Sequence, residues 1–471
     1  MDGVKRVLAG LLLLALTAAA VYGYTATQRE RSYRQRLADG DLALAQDNTL
    51  ASIVAFSGAI ALKPESMIGY LKRGETYRRR GEFQAAIQDL MRASELDPSA
   101  TRPLEELGDA YLADTPHRYG SAARRYEAYV KLDNRAPRVL YKLAYARYND
   151  GHAVEAVEAL RQALAQDDHF AEAYYLLGLC ERDAQDPNAA REALEQSIKL
   201  QPTLLHAREQ LADLDAATGH TEDRLEQLKA LTALDPSASR EVALGLEYAR
   251  TGQPELAVLT LGRATERYPE QAYASVALGR VWLEIAQARN DRVALSKALG
   301  ALGGAVGSDD SSDALTLFGR ALLMTPDVET AERILQEATT KSPVDPLAFY
   351  YLADAAERRG HYDAARRALL DYAALRGDEI DARRRAQQTA RLGDLSMRLN
   401  QPRVAVTYYL RAADANPSDA ALLARAADAQ FRAGDVETAR ATITNALAKD
   451  PANPVALSIA RRLIPARRPG A

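Results

Sequence analysis

Small and apolar residues recur three or four positions apart in short blocks along most of this chain, and turn-forming residues separate the blocks. Between Met67 and Pro98, Tyr70, Gly74 and Tyr77 share one face of a first block, and Ala86, Leu90 and Ala93 share one face of a second. Residues three or four apart lie one above the other on an α-helix, so the stretch predicts two short amphipathic helices. Gly81 stands between them, where a helix must stop and the chain reverse, and Pro98 follows the second. Pro64 closes the preceding block, which gives a period of about 34 residues.

The pattern begins at Tyr33 with a degenerate copy marked by Gly40, Ser52, Phe56 and Ala59. Its clearest copies open at Pro137 (Leu140, Leu143, Ala144, Gly151, Ala156, Leu160) and at Ala171 (Tyr174, Leu177, Gly178, Ala190, Leu194). An insertion around Thr115-Pro116-His117 lengthens one turn, and another near Ala288 to Arg292 is expected to shift a second helix. The stretch GALGGAVGSDDSSD, Gly300 to Asp313, is rich in glycine and serine, so a joint between two subarrays is placed at about 300–312. Gly377 to Arg385, with three arginines, reads as a linker, and Pro454 to Ile464 as a capping helix with Arg461 and Arg462 on its wet face.

The unit resembles a tetratricopeptide repeat, and the resemblance covers about nine tenths of the chain in about twelve copies, where about three suffice for stability. It implies an all-α fold: a right-handed superhelical solenoid of helix pairs, its concave wall lined by the first helix of each pair, preceded here by a hydrophobic helix. Gly74, Gly108, Gly178, Gly245, Gly279, Gly319 and Gly393 then fall where the two helices of a pair cross, and a side chain there would hold them apart. The expected organisation is a membrane anchor or signal over 1–28, an N-terminal array over 29–308, a C-terminal array with its cap over 309–464, and a disordered tail over 465–471.

Lys5 and Arg6 precede an uncharged run from Val7 to Gln28 whose core is LAGLLLLALTAAAVYGY. About 18 apolar or small residues just reach spanning length. The run reads as a single-pass inner-membrane anchor, with a cleaved signal peptide as its rival because Ala18 and Ala20 form an A-x-A site. Arg29, Arg31, Arg34 and Arg36 follow the run and, counted literally, keep the repeats cytoplasmic; the short basic N-terminus before a leucine-rich run favours export, so the repeats are expected in the periplasm with the cytoplasmic side left open.

Composition narrows the function. Sixty basic and 64 acidic residues leave a net charge of −4, and a chain with no basic excess is not expected to take nucleic acid as partner. Cys180 is the single cysteine, which rules out an internal disulfide and a thiolate metal site. Six histidines (His117, His152, His169, His206, His220, His361) are scattered without paired spacing, and Asp167-Asp168-His169 reads as a helix cap. Gly300, Gly303, Gly304 and Gly307 lack the strand and the G-K-[ST] of a phosphate loop and read as a hinge. Cys180 reads as a buried small hydrophobe. No enzyme, cofactor or metal is expected.

Binding is what remains. The resemblance assigns Arg138, Tyr141, Tyr145 and Tyr148 of one first helix, and Glu172, Tyr175 and Arg182 of the next, to the concave wall. Tyrosine and arginine are the residue types that carry interface energy. The bland alternative is that Tyr141 and Tyr145 pack between units. The carboxylate clamp of the family's chaperone-binding members is missing, since Leu71, Glu75, Arg102, Glu105 and Asp109 occupy the corresponding places. The expected function is a membrane-anchored scaffold for other proteins, holding an extended peptide or helix in its groove, in a bacterial envelope machine for secretion, pili or polysaccharide export. A soluble exported chaperone with its leader removed and an accessory subunit of an envelope glycosyltransferase are the alternatives.

Overall fold

The computed structural model describes residues 2–376 and 381–463. The expected tail from Pro465 to Ala471 lies outside them, as do residues 377–380 of the expected linker. Among the described residues every regular element is an α-helix, 25 in all. The chain divides into two compact units, residues 1–227 and 228–471.

In the first unit α1 (Asp2–Ala45) pairs with α2 (Thr49–Leu62), α3 (Met67–Arg79) with α4 (Phe83–Leu96), α5 (Thr101–Ala113) with α6 (Tyr119–Leu132), α7 (Pro137–Asn149) with α8 (Ala153–Leu164), and α9 (Ala171–Asp183) with α10 (Pro187–Leu200). Then come α11 (Leu205–Thr218) and α12 (Thr221–Leu234), which holds the division between units. The second unit continues with the pairs α13 (Ala238–Arg250) and α14 (Pro254–Arg267), α15 (Ala272–Arg289) and α16 (Arg292–Ala305), α17 (Ser312–Leu322) and α18 (Val328–Ala338), α19 (Pro346–Arg358) and α20 (Tyr362–Arg376), α21 (Ala382–Arg398) and α22 (Pro402–Ala415), and α23 (Ala420–Arg432) and α24 (Val436–Lys449). The cap α25 (Pro454–Leu463) buries Ala456, Ile459, Ala460 and Leu463 and leaves Arg461 and Arg462 exposed.

The turn inside a pair is closed as the sequence requires. Gly81 takes the left-handed conformation at φ 78°, and the next amide, of Glu82, donates to the Tyr77 carbonyl at 2.9 Å. A Cβ makes that conformation costly, which is why glycine stands there.

Packing inside a pair depends on the seven marker glycines. A Cβ on Gly319 would lie 2.4 Å from Leu335 Cγ, and one on Gly74 would lie 2.8 Å from Leu90 Cγ. Gly178, Gly245 and Gly279 receive Leu194, Leu261 and Leu302 in the same way. Each of these leucines is buried, which contributes about 2 kcal/mol apiece. Gly108 and Gly393 instead receive the rings of Tyr126 and Tyr409. Buried phenols need a partner, and these donate to Asp109 at 2.6 Å and Asp394 at 2.7 Å, each the residue following its glycine.

Three expectations change. The apolar N-terminal run and the first helix of the first repeat form one continuous helix, α1, so residue 28 marks a change of surface and not a break in the backbone. Leu12 and Leu14 are 66% and 68% exposed, whereas Tyr33 is 5% exposed. The insertion near 288–292 shifts the second helix as expected: it lengthens α15, which stops at left-handed Asn290, and the residue filling the Gly279 crossing is Leu302, further along the chain than Leu261 is from Gly245. Gly300, Gly303 and Gly304 lie within α16, because Ala294, Ala298, Leu302 and Ala305 keep an apolar face at helical spacing and packing overrides the low helix propensity of glycine. Leu302 and Ala305 share a core with Ala314 and Leu317 of α17, so the packing continues across the expected joint. Arg383, Arg384 and Arg385 belong to α21, whose N-terminus Asp381 caps by accepting from the Arg384 amide at 2.9 Å.

Candidate functional site

In four pairs the first helix is tied to the preceding one by a cation two residues before the helix crossing. Lys72 reaches Asp41 at 2.6 Å, and Lys142 reaches both Glu105 and Asp109 at 2.8 Å. Arg391 reaches Glu357 at 2.8 Å and Asp354 at 3.5 Å, and Arg425 reaches Asp394 at 3.2 Å. Burial works against the charge of Lys142, but its two carboxylate partners outweigh it and raise the ammonium pKa. Charge on these faces is thus largely met within the chain. The positions compared with the family's clamp follow suit: Arg102 bonds Glu75 at 2.7 Å, and Glu105 and Asp109 hold Lys142.

On α9 the corresponding position is Leu176, which is buried. No cation reaches back from it to the face of α7, where Tyr145 is exposed. That face carries the predicted tyrosines, because Tyr141, Tyr145 and Tyr148 follow one another at helical spacing in a helix begun by Pro137. Tyr145 is 39% exposed, and Tyr141 and Tyr175 are half-buried. Burial, then the nearby Glu172, Tyr145 and Tyr175, raises the Tyr141 phenol above its ordinary range, which places Tyr141, Tyr145 and Tyr175 in one neighbourhood.

The other predicted residues are placed differently. Tyr148 donates to Asp183 at 2.8 Å, and burial together with that bond pushes its phenol up to about 12. Arg182 is committed to Asp183 at 2.8 Å and also donates to Gln210, so it locks α9 to its neighbours and offers no free charge. Arg138 is exposed at the start of α7.

The structure adds residues that the sequence reading passed over. Phe170, which precedes α9, lies 5.0 Å from Tyr141 between ring centroids. Tyr119, the first residue of α6, lies edge-on to Tyr145 at 6.4 Å, and His117 lies 5.5 Å from Tyr119. The insertion at Thr115-Pro116-His117 is therefore more than a longer turn, since it delivers two rings to the tyrosine face.

The remaining chemical candidates stay apart. Cys180 is fully buried, and burial pushes its thiol up to about 12, the opposite of an activated nucleophile. Asp167, Asp168 and His169 are all exposed; the Asp167 carboxylate accepts from the His169 amide at 3.1 Å and closes a turn, and the cap position of α9 is held by Phe170 with no side-chain bond, so the trio does not cap that helix. His361 shares Glu332 with Arg359, His152 precedes α8, and His206 lies within α11.

A family model described as tetratricopeptide repeat matches residues 37–101, 141–204, 242–290, 316–382 and 390–454, together more than half of the chain. The chain is 30% identical over 99 residues to small glutamine-rich tetratricopeptide repeat-containing protein 2 of Mycosarcoma maydis, a match covering 21% of this chain and 28% of that protein. It is 28% identical over 179 residues to the BBSome complex member bbs-4 of Caenorhabditis elegans, covering 36% of this chain and 38% of that one. It thus spans well under half the length of these curated relatives. Among solved structures, that of MamA protein is 24% identical, covers 36% of this chain and 92% of its own, and superposes with a TM-score of 0.35.

Proposed function

The chain belongs to the tetratricopeptide repeat family, whose stacked helix pairs bind other proteins and peptides, and from that premise we propose that it is a membrane-anchored scaffold whose working surface is the tyrosine face of α7 and α9. The observation that carries this reading is the contrast along the first helices. Elsewhere their charged side chains are largely satisfied within the chain, whereas Tyr141, Tyr145 and Tyr175 present rings with no cation reaching back over them. Aromatic area that is already positioned loses little entropy on binding, so it is the natural seat of interface energy.

Support for anchoring comes from α1. It continues from the apolar run into the first repeat without a break, and Leu11 to Leu14, Leu16, Val21, Tyr22 and Tyr24 are all 60% exposed or more. An apolar surface of that size suits lipid better than water. The machine served is proposed to be a bacterial envelope assembly of the secretion, pilus or polysaccharide-export kind, with the repeats on the periplasmic side of the inner membrane and the protein acting by binding, not catalysis.

Crosslinking in native membranes, followed by purification of the full chain, tests this. The wild type should carry a specific adduct, and the Tyr141→Ala, Tyr145→Ala, Tyr148→Ala triple variant should lose it while keeping its helical circular dichroism. An adduct unchanged in the triple variant would remove the face from consideration. N-terminal sequencing that begins after Ala20 would replace the anchor with a cleaved leader, and protease access from the periplasm or the cytoplasm would fix the side.

A further inference from the structure

The open face of α7 is part of a continuous aromatic row running Phe170, Tyr141, Tyr145, Tyr119, His117. Its links are 5.0 Å between Phe170 and Tyr141, one helical turn between Tyr141 and Tyr145, 6.4 Å on to Tyr119 and 5.5 Å on to His117. Among the described residues the hydroxyls of Tyr119, Tyr141 and Tyr145 make no hydrogen bond, and none is a buried orphan. The row therefore offers three things: flat apolar faces, hydroxyls not committed to other side chains, and one exposed charge of each sign, at Arg138 and Glu172.

Those three properties discriminate between occupants. An amphipathic helix brings backbone carbonyls already bonded to its own amides, so only its side chains could meet the hydroxyls. A strand needs an exposed sheet edge, and every described element is a helix. A strongly acidic or basic segment would find a single opposing charge. A polyproline II segment, by contrast, has about three residues per turn, no internal hydrogen bonds and fully solvated carbonyls. Its pyrrolidine rings pack on aromatic faces, its carbonyls accept from tyrosine hydroxyls, and its preset backbone loses little entropy on binding. We propose that the row from Phe170 to His117 binds a proline-rich segment of a partner protein in the polyproline II conformation. This inference rests on the tyrosine face being a binding surface and goes further by naming what it takes.

The test uses the full chain in detergent micelles and a fluorescein-labelled decamer of proline, read by anisotropy, beside a glycine-serine decamer and an alanine-rich helical peptide. Saturable binding of the proline decamer alone is expected. Tyr145→Ala and Tyr119→Ala should each weaken it by about tenfold or more, as loss of a central aromatic anchor does. Tyr145→Phe should weaken it only a few-fold, since the ring stays and one neutral hydrogen bond goes. Tyr119 matters most because it lies on a different helix from the predicted tyrosines. No saturable binding of the proline decamer, equal binding by the Tyr145→Ala variant, or preference for the helical peptide would each overturn the inference. If the decamer fails while the membrane adduct still depends on Tyr141, Tyr145 and Tyr148, the proline assignment falls and the face stands. If the adduct is indifferent to those residues as well, both fall.

Discussion

Tyr141 and Tyr350 are both the fifth residue of a 13-residue first helix that begins with proline, α7 in the first unit and α19 in the second. Their surroundings are opposite. Tyr350 meets Tyr372 at a tilt at 5.4 Å and Tyr351 edge-on at 5.5 Å, and the Arg391 guanidinium lies over it at 5.9 Å. Arg391 is held there by Asp354 and Glu357, which occupy in α19 the places that Tyr145 and Tyr148 occupy in α7. Where the second unit has two carboxylates and an arginine lid, the first has two tyrosines and, in the next first helix, Leu176. An aromatic residue at a groove position is thus not in itself a binding residue. What differs between the two is whether the next repeat supplies a cation to cover the ring.

The contrast is sharpest in stability. Tyr372→Ala removes a ring that is 7% exposed, and it should cost about 3–5 kcal/mol, read as a lower unfolding midpoint and faster hydrogen exchange in α19 and α20. Tyr145→Ala, at a surface position, should change stability by no more than about 0.5 kcal/mol. If the two variants destabilise alike, the division between a structural and a working cluster is wrong.

A smaller effect is expected from lifting the lid. Arg391→Leu leaves Asp354 and Glu357 without their shared partner and should cost about 1 kcal/mol at low salt, the loss shrinking as salt screens the pair. Thermal unfolding of wild type and variant at low and high ionic strength reads it. A loss independent of salt would assign the arginine a packing role instead.

The smallest effect is a slope. The Tyr148 phenol, pushed up to about 12 by burial and its bond to Asp183, keeps in the folded state a proton that the unfolded chain gives up near the ordinary tyrosine value of about 10. The stability it contributes is complete below that lower value and drains away as pH rises toward the upper one. Tyr148→Phe should therefore fall less steeply than wild type in unfolding midpoint over that alkaline window. An identical slope would mean that Asp183 does not hold the phenol.

Much of the fold was legible because each repeat writes the same physical constraint. A glycine at the helix crossing and a leucine or tyrosine about 16 residues later, further only where an insertion intervenes as at Gly279 and Leu302, form a lock and its fill, and Gly319 with Leu335 shows how little room is left. The stretch from Gly300 is helical as far as Ala305 despite its glycines, because Ala298, Leu302 and Ala305 keep the helical spacing, a period that composition hides. At the candidate site, Tyr141, Tyr145, Tyr148 and Tyr175 came from placing the resembled family's concave positions on each first helix. His117 and Tyr119 could not, because an insertion carries no register and its path is set by packing against α7. The signal that separates α7 from α19 was present all along, in Leu176 two residues before Gly178 and Arg391 two residues before Gly393. Its meaning depends on knowing that this position reaches back to the preceding helix.

The most direct test places one photoreactive phenylalanine analogue in the full chain in its native membrane, at position 145 in one sample and at position 350 in another. The account predicts a discrete protein adduct on irradiation from position 145 and none from position 350. An adduct from position 350 alone, or from neither, would contradict the claim that the uncovered tyrosine face is where this scaffold works.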